Sequence, residues 1–557
     1  MSATAGWPAV PALPPEAVSR RAQVATLRNL ARRADVQAGL LAAAAALLWL
    51  LVAPRTPDLA AQSYRVGLFE RQGFAIWDNG WYAGHHLPAY SLLFPPLAAE
   101  FGMRVVGALS AVLAACCFAR LAEGHFGPRA RIGILWFALA TATDLAIGRL
   151  TYALGTAFGL AALYAAQRRR RVPTVVLAAL TAAATPLAGL FLAMAGVAGF
   201  LDGRRRLALM IVVPSLAVAG ALAVVFPEGG RQPFGTQALA VSLALTVAFV
   251  VLAPDRLLRI GAALYLAATV GAFVLVTPIG GNTTRLGAVV AGPLLCCARP
   301  PREWRGRRLG GAAVALLAAA LLVWQWYAPV REVSRSVGDP LSRSATYDGL
   351  FAFLGAHGAE TGRIEVPFTR SHWEAAFVPE RFPLARGWEK QLDAGYNGLF
   401  FRRPLRPAAY HAWLRSLGVR FVAVALAPSD PSSRAEVDLV LGGLPYLRPV
   451  WRDAHWRVFA LADPRPLATG PARLTALGPQ SFTLRFSRPG TSVADVRFSP
   501  YWSSSSGCVA RAPGGFTAVT AQHPAVVRVG IVFSVGRVVG AGRRCAGPAR
   551  FSPRPTG

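Results

Sequence analysis

The chain has 557 residues, of which 54% are hydrophobic and 15% charged, with a mean hydropathy of +0.41. Soluble globular domains carry roughly 25% charged residues and disordered chains fewer apolar ones, so both classes are excluded. The formal net charge of +31 invites a nucleic-acid reading, but the arginines bunch between apolar stretches, as at 168–171, 204–206 and 302–308. Loops that face anionic headgroups have that pattern, and nucleic acid is not an expected partner.

In chain order, residues 1–36 form a polar, basic tail carrying Arg20, Arg21, Arg28, Arg32 and Arg33. The apolar run 36–54 is long enough to cross a bilayer and no small-residue cleavage site follows it, so it reads as an uncleaved first span. Further spans are expected near 103–121, 129–147, 149–166, 172–185, 187–201, 207–226, 238–253, 260–277, 286–298 and 311–328, about eleven in all. The segments 172–185 and 187–201 are short and either cross fully or form a hairpin bent at Thr185-Pro186.

With the amino terminus in the cytoplasm, Arg120, Arg129, Arg131, both arginine runs, Arg256, Arg259, Arg299 and 302–308 fall inside. Only scattered arginines such as Arg55, Arg65, Arg71, Arg104, Arg149, Arg231 and Arg285 fall outside. That bias sets a plasma-membrane orientation with everything after about 329 extracytoplasmic. The expected organisation is a tail 1–36, a membrane domain 37–328 with a large outer loop 55–102, an α/β unit 329–465 and a β-rich unit 466–557 resembling a sandwich. Strands are expected at 362–368, 419–426, 456–460, 472–476, 481–487, 493–498, 515–520 and 525–533, with helices at 346–356 and 407–417.

The outer loop and the tail lie on one side and can build one site. Asp58 stands just beyond the first span, at the depth of a lipid-linked phosphate, with Glu70 and Asp78 in the same loop. Asp58 reads either as a functional carboxylate or as a helix N-cap before Leu59, and Glu70 as a ligand or a solvated helix face. The run 58–74 suits a helix lying at the interface, and Trp77, Trp81 and Tyr82 suit headgroup depth. Asp144 is the one acid inside an expected span. A mid-bilayer carboxylate costs roughly 2.5–3.5 kcal/mol, so it needs a wet cavity or a partner, and Arg149 is the nearest cation. Asn282 and Arg285 occupy an outer loop without an acidic neighbour, where arginine either grips a phosphate or simply sits at the interface.

His85 and His86 are adjacent and no Cys or His pattern completes a metal site around them. No dinucleotide fingerprint, P-loop or zinc-protease motif is present. In the tail, Glu365, His372, Trp373 and Glu374, then Arg386, Trp388, Glu389, Asp393 and Asn397, form a polar-aromatic cluster that suits either core or interdomain packing or sugar or headgroup recognition. Cys116-Cys117 and Cys296-Cys297 lie in expected spans, whereas Cys508 and Cys545 fall in the outer β unit and are disulfide candidates.

The acid after span one, followed by an interfacial helix, resembles GT-C-type membrane glycosyltransferases. Asp58-Leu-Ala-Ala-Gln62, Gly73, Trp77, Gly84, Pro88, Tyr90 and Pro95-Pro96-Leu97 resemble the bacterial 6-pyruvoyl-tetrahydropterin synthase-related integral membrane family. The resemblance implies transfer of a sugar from a polyprenyl-phosphate donor to an envelope glycan or lipid acceptor. It implies Asp58 as the base, Asp144 as a second acid and Arg285 on the phosphate; the residues themselves offer Glu70, Asp78, Trp81, Tyr82, His85, Arg149, Asn282, Arg386, Trp388 and Glu389 as further candidate substrate contacts. The cofactor stays open, with a divalent metal as one option, because the paired adjacent acids of many such enzymes are missing. The alternative is a non-enzymatic membrane carrier or scaffold for lipid or glycan assembly.

Overall fold

The structure is a computed structural model and describes residues 33–298, 303–304, 307–308, 311–402, 404–538 and Cys545. The basic tail up to residue 32 and most of the 299–310 arginine cluster lie outside the described residues.

The first part is helical. The apolar helices are α1 (Ala34–Val52), α4 (Met103–Phe126), α5 (Arg131–Ile147), α6 (Leu150–Gln167), α7 (Arg171–Ala184), α8 (Pro186–Leu201), α9 (Arg205–Val225), α10 (Thr236–Leu252), α11 (Arg256–Val274), α12 (Thr284–Ala298) and α13 (Gly311–Ser336). Between α1 and α4 come α2 (Pro57–Gln72), the short antiparallel pair β1 (Trp77–Asp78) and β2 (His85–His86), and α3 (Phe94–Phe101). Every expected apolar segment is a helix. The expected count of spans is another matter: among the described residues five stretches are long and apolar enough to cross a membrane, one being the run 103–147 that holds α4 and α5. Helices α7, α8 and α10 are shorter, and the 14 residues of α7 reach only about 21 Å of a bilayer core of about 30 Å.

The C-terminal part has two units. In the first, β3 (Arg363–Glu365), β4 (Val419–Ala425), β5 (Leu447–Arg452) and β6 (Trp456–Leu461) form a mixed sheet of order β3-β4-β6-β5, parallel only between β3 and β4. Strand β5 escaped the sequence reading because Pro449 sits in it, a residue tolerated there at a sheet edge.

In the second, β7 (Ala468–Thr469), β8 (Ala472–Gly478), β9 (Ser481–Phe486), β10 (Gly490–Arg497), β11 (Trp502–Ser504), β12 (Cys508–Arg511), β13 (Phe516–Ala521) and β14 (Ala525–Ile531) make two four-stranded antiparallel sheets. Their orders are β8-β9-β14-β11 and β12-β13-β10-β7. Phe482, Leu484, Phe486, Val496, Trp502, Val519 and Val527 fill the space between them. A disulfide joins Cys508 to Cys545.

The expected interfacial helix is α2, but it does not lie open at the membrane surface. Leu59, Ala60, Ala61, Gln62, Tyr64, Arg65, Val66 and Leu68 are all buried, because the α/β unit and the helical part pack against the helix. The loop that follows plugs into both C-terminal units. Trp77 enters the sandwich core, Asn79 bonds the carbonyls of Gly478 and Pro479, and Trp81 Nε1 donates to the Ala375 carbonyl at 3.0 Å.

Candidate functional site

The site begins with how α5 ends. Gly148 has φ +88°, its N–H reaches the Asp144 and Leu145 carbonyls at 3.0 Å each, and the Arg149 N–H reaches the Asp144 carbonyl at 2.8 Å. These paired bonds form a Schellman turn, which needs the left-handed residue that glycine supplies. The turn also permits close approach: a Cβ at 148 would stand 2.7 Å from the Leu59 backbone nitrogen. The first turn of α2 is thereby pressed against the α5–α6 corner.

Of three polar residues on one stripe of α2, at positions i, i+4 and i+7, the first two face that seam. Asp58 Oδ2 accepts from Arg149 Nε at 3.2 Å, with the two side chains 28% and 25% exposed. The N-cap of α2 is Thr56, so the carboxylate of Asp58 is not spent on capping. Gln62 is buried; its Nε2 donates to the Gly148 carbonyl and its Oε1 accepts from Thr151 N–H at 3.3 Å. Arg65 pairs with Glu389 and lies 4.1 Å from the Tyr90 ring centroid.

Asp144 and Arg285 approach the same place. Each is coupled electrostatically to Asp58 and Arg149 as well as to the other, and Arg285 also to Tyr90. Arg149 takes Asp58 rather than Asp144 as its ion-pair partner. Arg285, in the first turn of α12, makes no ion pair among the described residues. Its Nε is buried without a hydrogen-bond partner, and its guanidinium stands 5.9 Å from the Tyr152 ring centroid. Asn282 lies in the short turn just before it.

Tyr152 links this polar cluster to an apolar cavity of about 1560 Å³ within the helices. Its walls include Phe118, Phe137, Phe191, Tyr265 and Trp324, and it begins beside Arg285 at Leu286 and Gly287. Asp58, Asp144 and Arg285 are not themselves in its wall. The cavity follows α6 from Tyr152 to Gln167, about 22 Å at 1.5 Å per residue, and ends among Arg169, Arg171 and Arg204, Arg205 and Arg206.

The other candidates lie elsewhere. Asp78, Trp81, Tyr82 and His85 are at most 1% exposed. Asp78 accepts from the Tyr64 hydroxyl and from Gly80 N–H at 2.9 Å, and burial lifts its carboxyl to about 6; burial also holds His85 well below the usual imidazole range. Tyr82 bonds the Gly387 and Glu389 carbonyls. Trp81 and Tyr82 knit the loop to the α/β unit, whereas Asp78 and His85 meet α2 and the loop itself. Glu70 is on the exposed side of α2.

Arg386 is fully buried in the α/β unit. It is bidentate to Asp393 at 2.9 and 2.7 Å, 3.0 Å from Glu436, and stacked between Phe368 and Phe400 at 3.9 Å each. Despite burial, these carboxylates hold its charged form well above the ordinary arginine range. Trp388 stacks on His372 at 3.4 Å, and burial raises Glu389 to about 7. Sequence reasoning assigned no role to Gln62; the signal was its i+4 spacing from Asp58.

Among the described residues no three His, Cys, Asp or Glu side chains gather as a metal site. A divalent cation beside Asp58 would meet a carboxylate already paired with Arg149 and the nearby charge of Arg285, a donor set that does not fit it.

No family model matches the chain, and no curated protein matches it. Among solved structures, the chain is similar to the arabinofuranosyltransferase AftD from Mycobacteria, a single-particle cryo-EM structure, with a TM-score of 0.44 and 16% identity over 82% of this chain and 41% of that one. A point mutant of AftD gives a TM-score of 0.44 and 17% identity over 82% and 43%. The chain thus spans less than half the length of these structures.

Proposed function

We propose that the protein is a GT-C-type membrane glycosyltransferase that moves a sugar from a polyprenyl-phosphate donor to an extracytoplasmic envelope acceptor. The observation that carries the reading is Arg285, which makes no ion pair among the described residues and whose Nε is buried without a hydrogen-bond partner, beside the Asp58–Arg149 pair at one end of a long apolar cavity. Leaving a guanidinium N–H buried without an acceptor is costly, and a phosphate oxygen would supply one. The cavity would take the prenyl chain, and Arg285 with Arg149 would neutralise the departing phosphate. A phosphate that draws Arg149 away frees Asp58, which accepts the proton of the acceptor hydroxyl as the anomeric bond breaks. Asp144 and Gln62 position Arg149 and the first turn of α2.

The arginines at the far end of the cavity favour a second reading, a lipid carrier whose cargo runs between two basic mouths. Lipid and glycan profiling of a deletion strain separates the two. Complementation with Asp58→Asn should leave the polyprenyl-phosphate sugar accumulated and the product glycan missing. Full restoration of the glycan by that variant would support the carrier.

A further inference from the structure

The terminal β unit is almost free of negative charge. Residues 466–538 contain one acid, Asp495, which is buried, and the arginines Arg473, Arg485, Arg488, Arg497, Arg511, Arg528 and Arg537. Four of them converge on the outward face of the β8-β9-β14-β11 sheet. Leu484, Phe486, Val527 and Val529 point inward, so their alternate neighbours Arg485 and Arg528 point out. Arg473 is the direct cross-strand partner of Arg485, and Arg528 pairs with Thr483 and so stands diagonal to Arg485. Arg537 completes the row at the β11 edge, donating to Ser503 Oγ at 3.0 Å and the Trp502 carbonyl at 2.7 Å.

Arg473, Arg485 and Arg528 are exposed and, among the described residues, make no ion pair. Like charges placed directly opposite in a sheet destabilise it. Folding therefore gives no reason for this arrangement, whereas an anionic ligand does. The ligand's source follows from placement. The β8–β9 turn rests on Asn79, at 2.8 Å from the Gly478 carbonyl, while Arg473 and Arg485 lie four to five residues up the strands, about 14–17 Å further from that contact. The pair lies toward the end of the sheet away from the loop that ties this unit to the helices, a placement that favours a polymer in solution over a lipid headgroup.

We propose that this sheet face binds an anionic polysaccharide bearing carboxylates along its chain. Guanidinium forks pair with carboxylates in bidentate fashion, and the hydroxyls of Thr483 and Ser503 between them suit sugar hydroxyls. The site is separate from Asp58 and stands whether or not the transferase reading does.

The test uses the full chain in phosphatidylcholine nanodiscs and polygalacturonate as the probe, with neutral dextran as the comparison. Wild type binds polygalacturonate and not dextran. R473Q/R485Q binds at least about tenfold more weakly, R528Q is weakened in the same direction, and about 0.5 M salt abolishes the difference. R448Q/R452Q, an equal charge change on exposed positions of β5, binds as wild type does. Equal affinity of R473Q/R485Q and wild type overturns the proposal, as does an equal loss in R448Q/R452Q. So does binding to phosphatidylglycerol vesicles that depends on Arg473 and Arg485 without binding to polygalacturonate. Should R473Q/R485Q fold poorly, R528Q alone decides by the same criteria.

Discussion

Asp58 and Arg149 meet at 3.2 Å across the seam between α2 and the α5–α6 corner, each about a quarter exposed. An exposed pair of this kind contributes little stability, typically below about 1 kcal/mol. Its position, with Arg285 and Asp144 close behind, matters more than its strength.

The corner that makes this meeting happen is Gly148. Gly148→Ala forces a left-handed conformation on alanine and drives a methyl group into the Leu59 backbone. We expect a loss of about 2 kcal/mol or more, read as a lowered Tm in detergent, together with lost activity. An unchanged Tm would mean that α2 and the corner are not in contact.

Arg386 and Arg285 should respond in opposite ways. Arg386→Gln leaves Asp393 and Glu436 buried without their cation and should cost about 3–5 kcal/mol. Arg285→Gln removes a cation that has no ion pair, so thermal stability should hold or rise slightly, while retention of co-purified polyprenyl phosphate, read by native mass spectrometry, falls about tenfold or more. Retention equal to wild type would remove Arg285 from the phosphate site.

Burial lifts Asp78 from its ordinary 3.8 to about 6. Between those values the folded protein keeps a proton that the unfolded chain has released. The contribution to stability is therefore complete below about pH 4 and is lost as pH rises through about 6, a swing on the order of 2–3 kcal/mol. Tm should fall between pH 4 and 7, and Asp78→Asn, which still accepts from Tyr64 and Gly80, should flatten that fall. Identical pH profiles would show that Asp78 does not titrate in this window.

The apolar helices were legible because each is a long run of one hydropathy, and Asp58, Asp144, Arg149 and Arg285 stood out as lone charges against it. Whether a helix crosses the bilayer was less legible, since 14 to 17 apolar residues serve equally as a short span or a buried packing helix. The run from Trp77 to His86 reads as a ligand site because aromatic rings with polar tips have the same composition in a binding cleft and in a domain interface. Only the fold shows Trp81 against Ala375 and Trp77 inside the sandwich. The partners of Arg386 were equally hidden, Glu436 lying 50 residues away in sequence.

The most direct test of the central claim is a cryo-EM structure of the protein with bound decaprenyl phosphate. The account predicts the phosphate in contact with Arg149 and Arg285 beside Asp58, and the prenyl chain running past Tyr152 along α6. A chain lodged with its phosphate among Arg204, Arg205 and Arg206, or lying wholly outside the cavity, would contradict it.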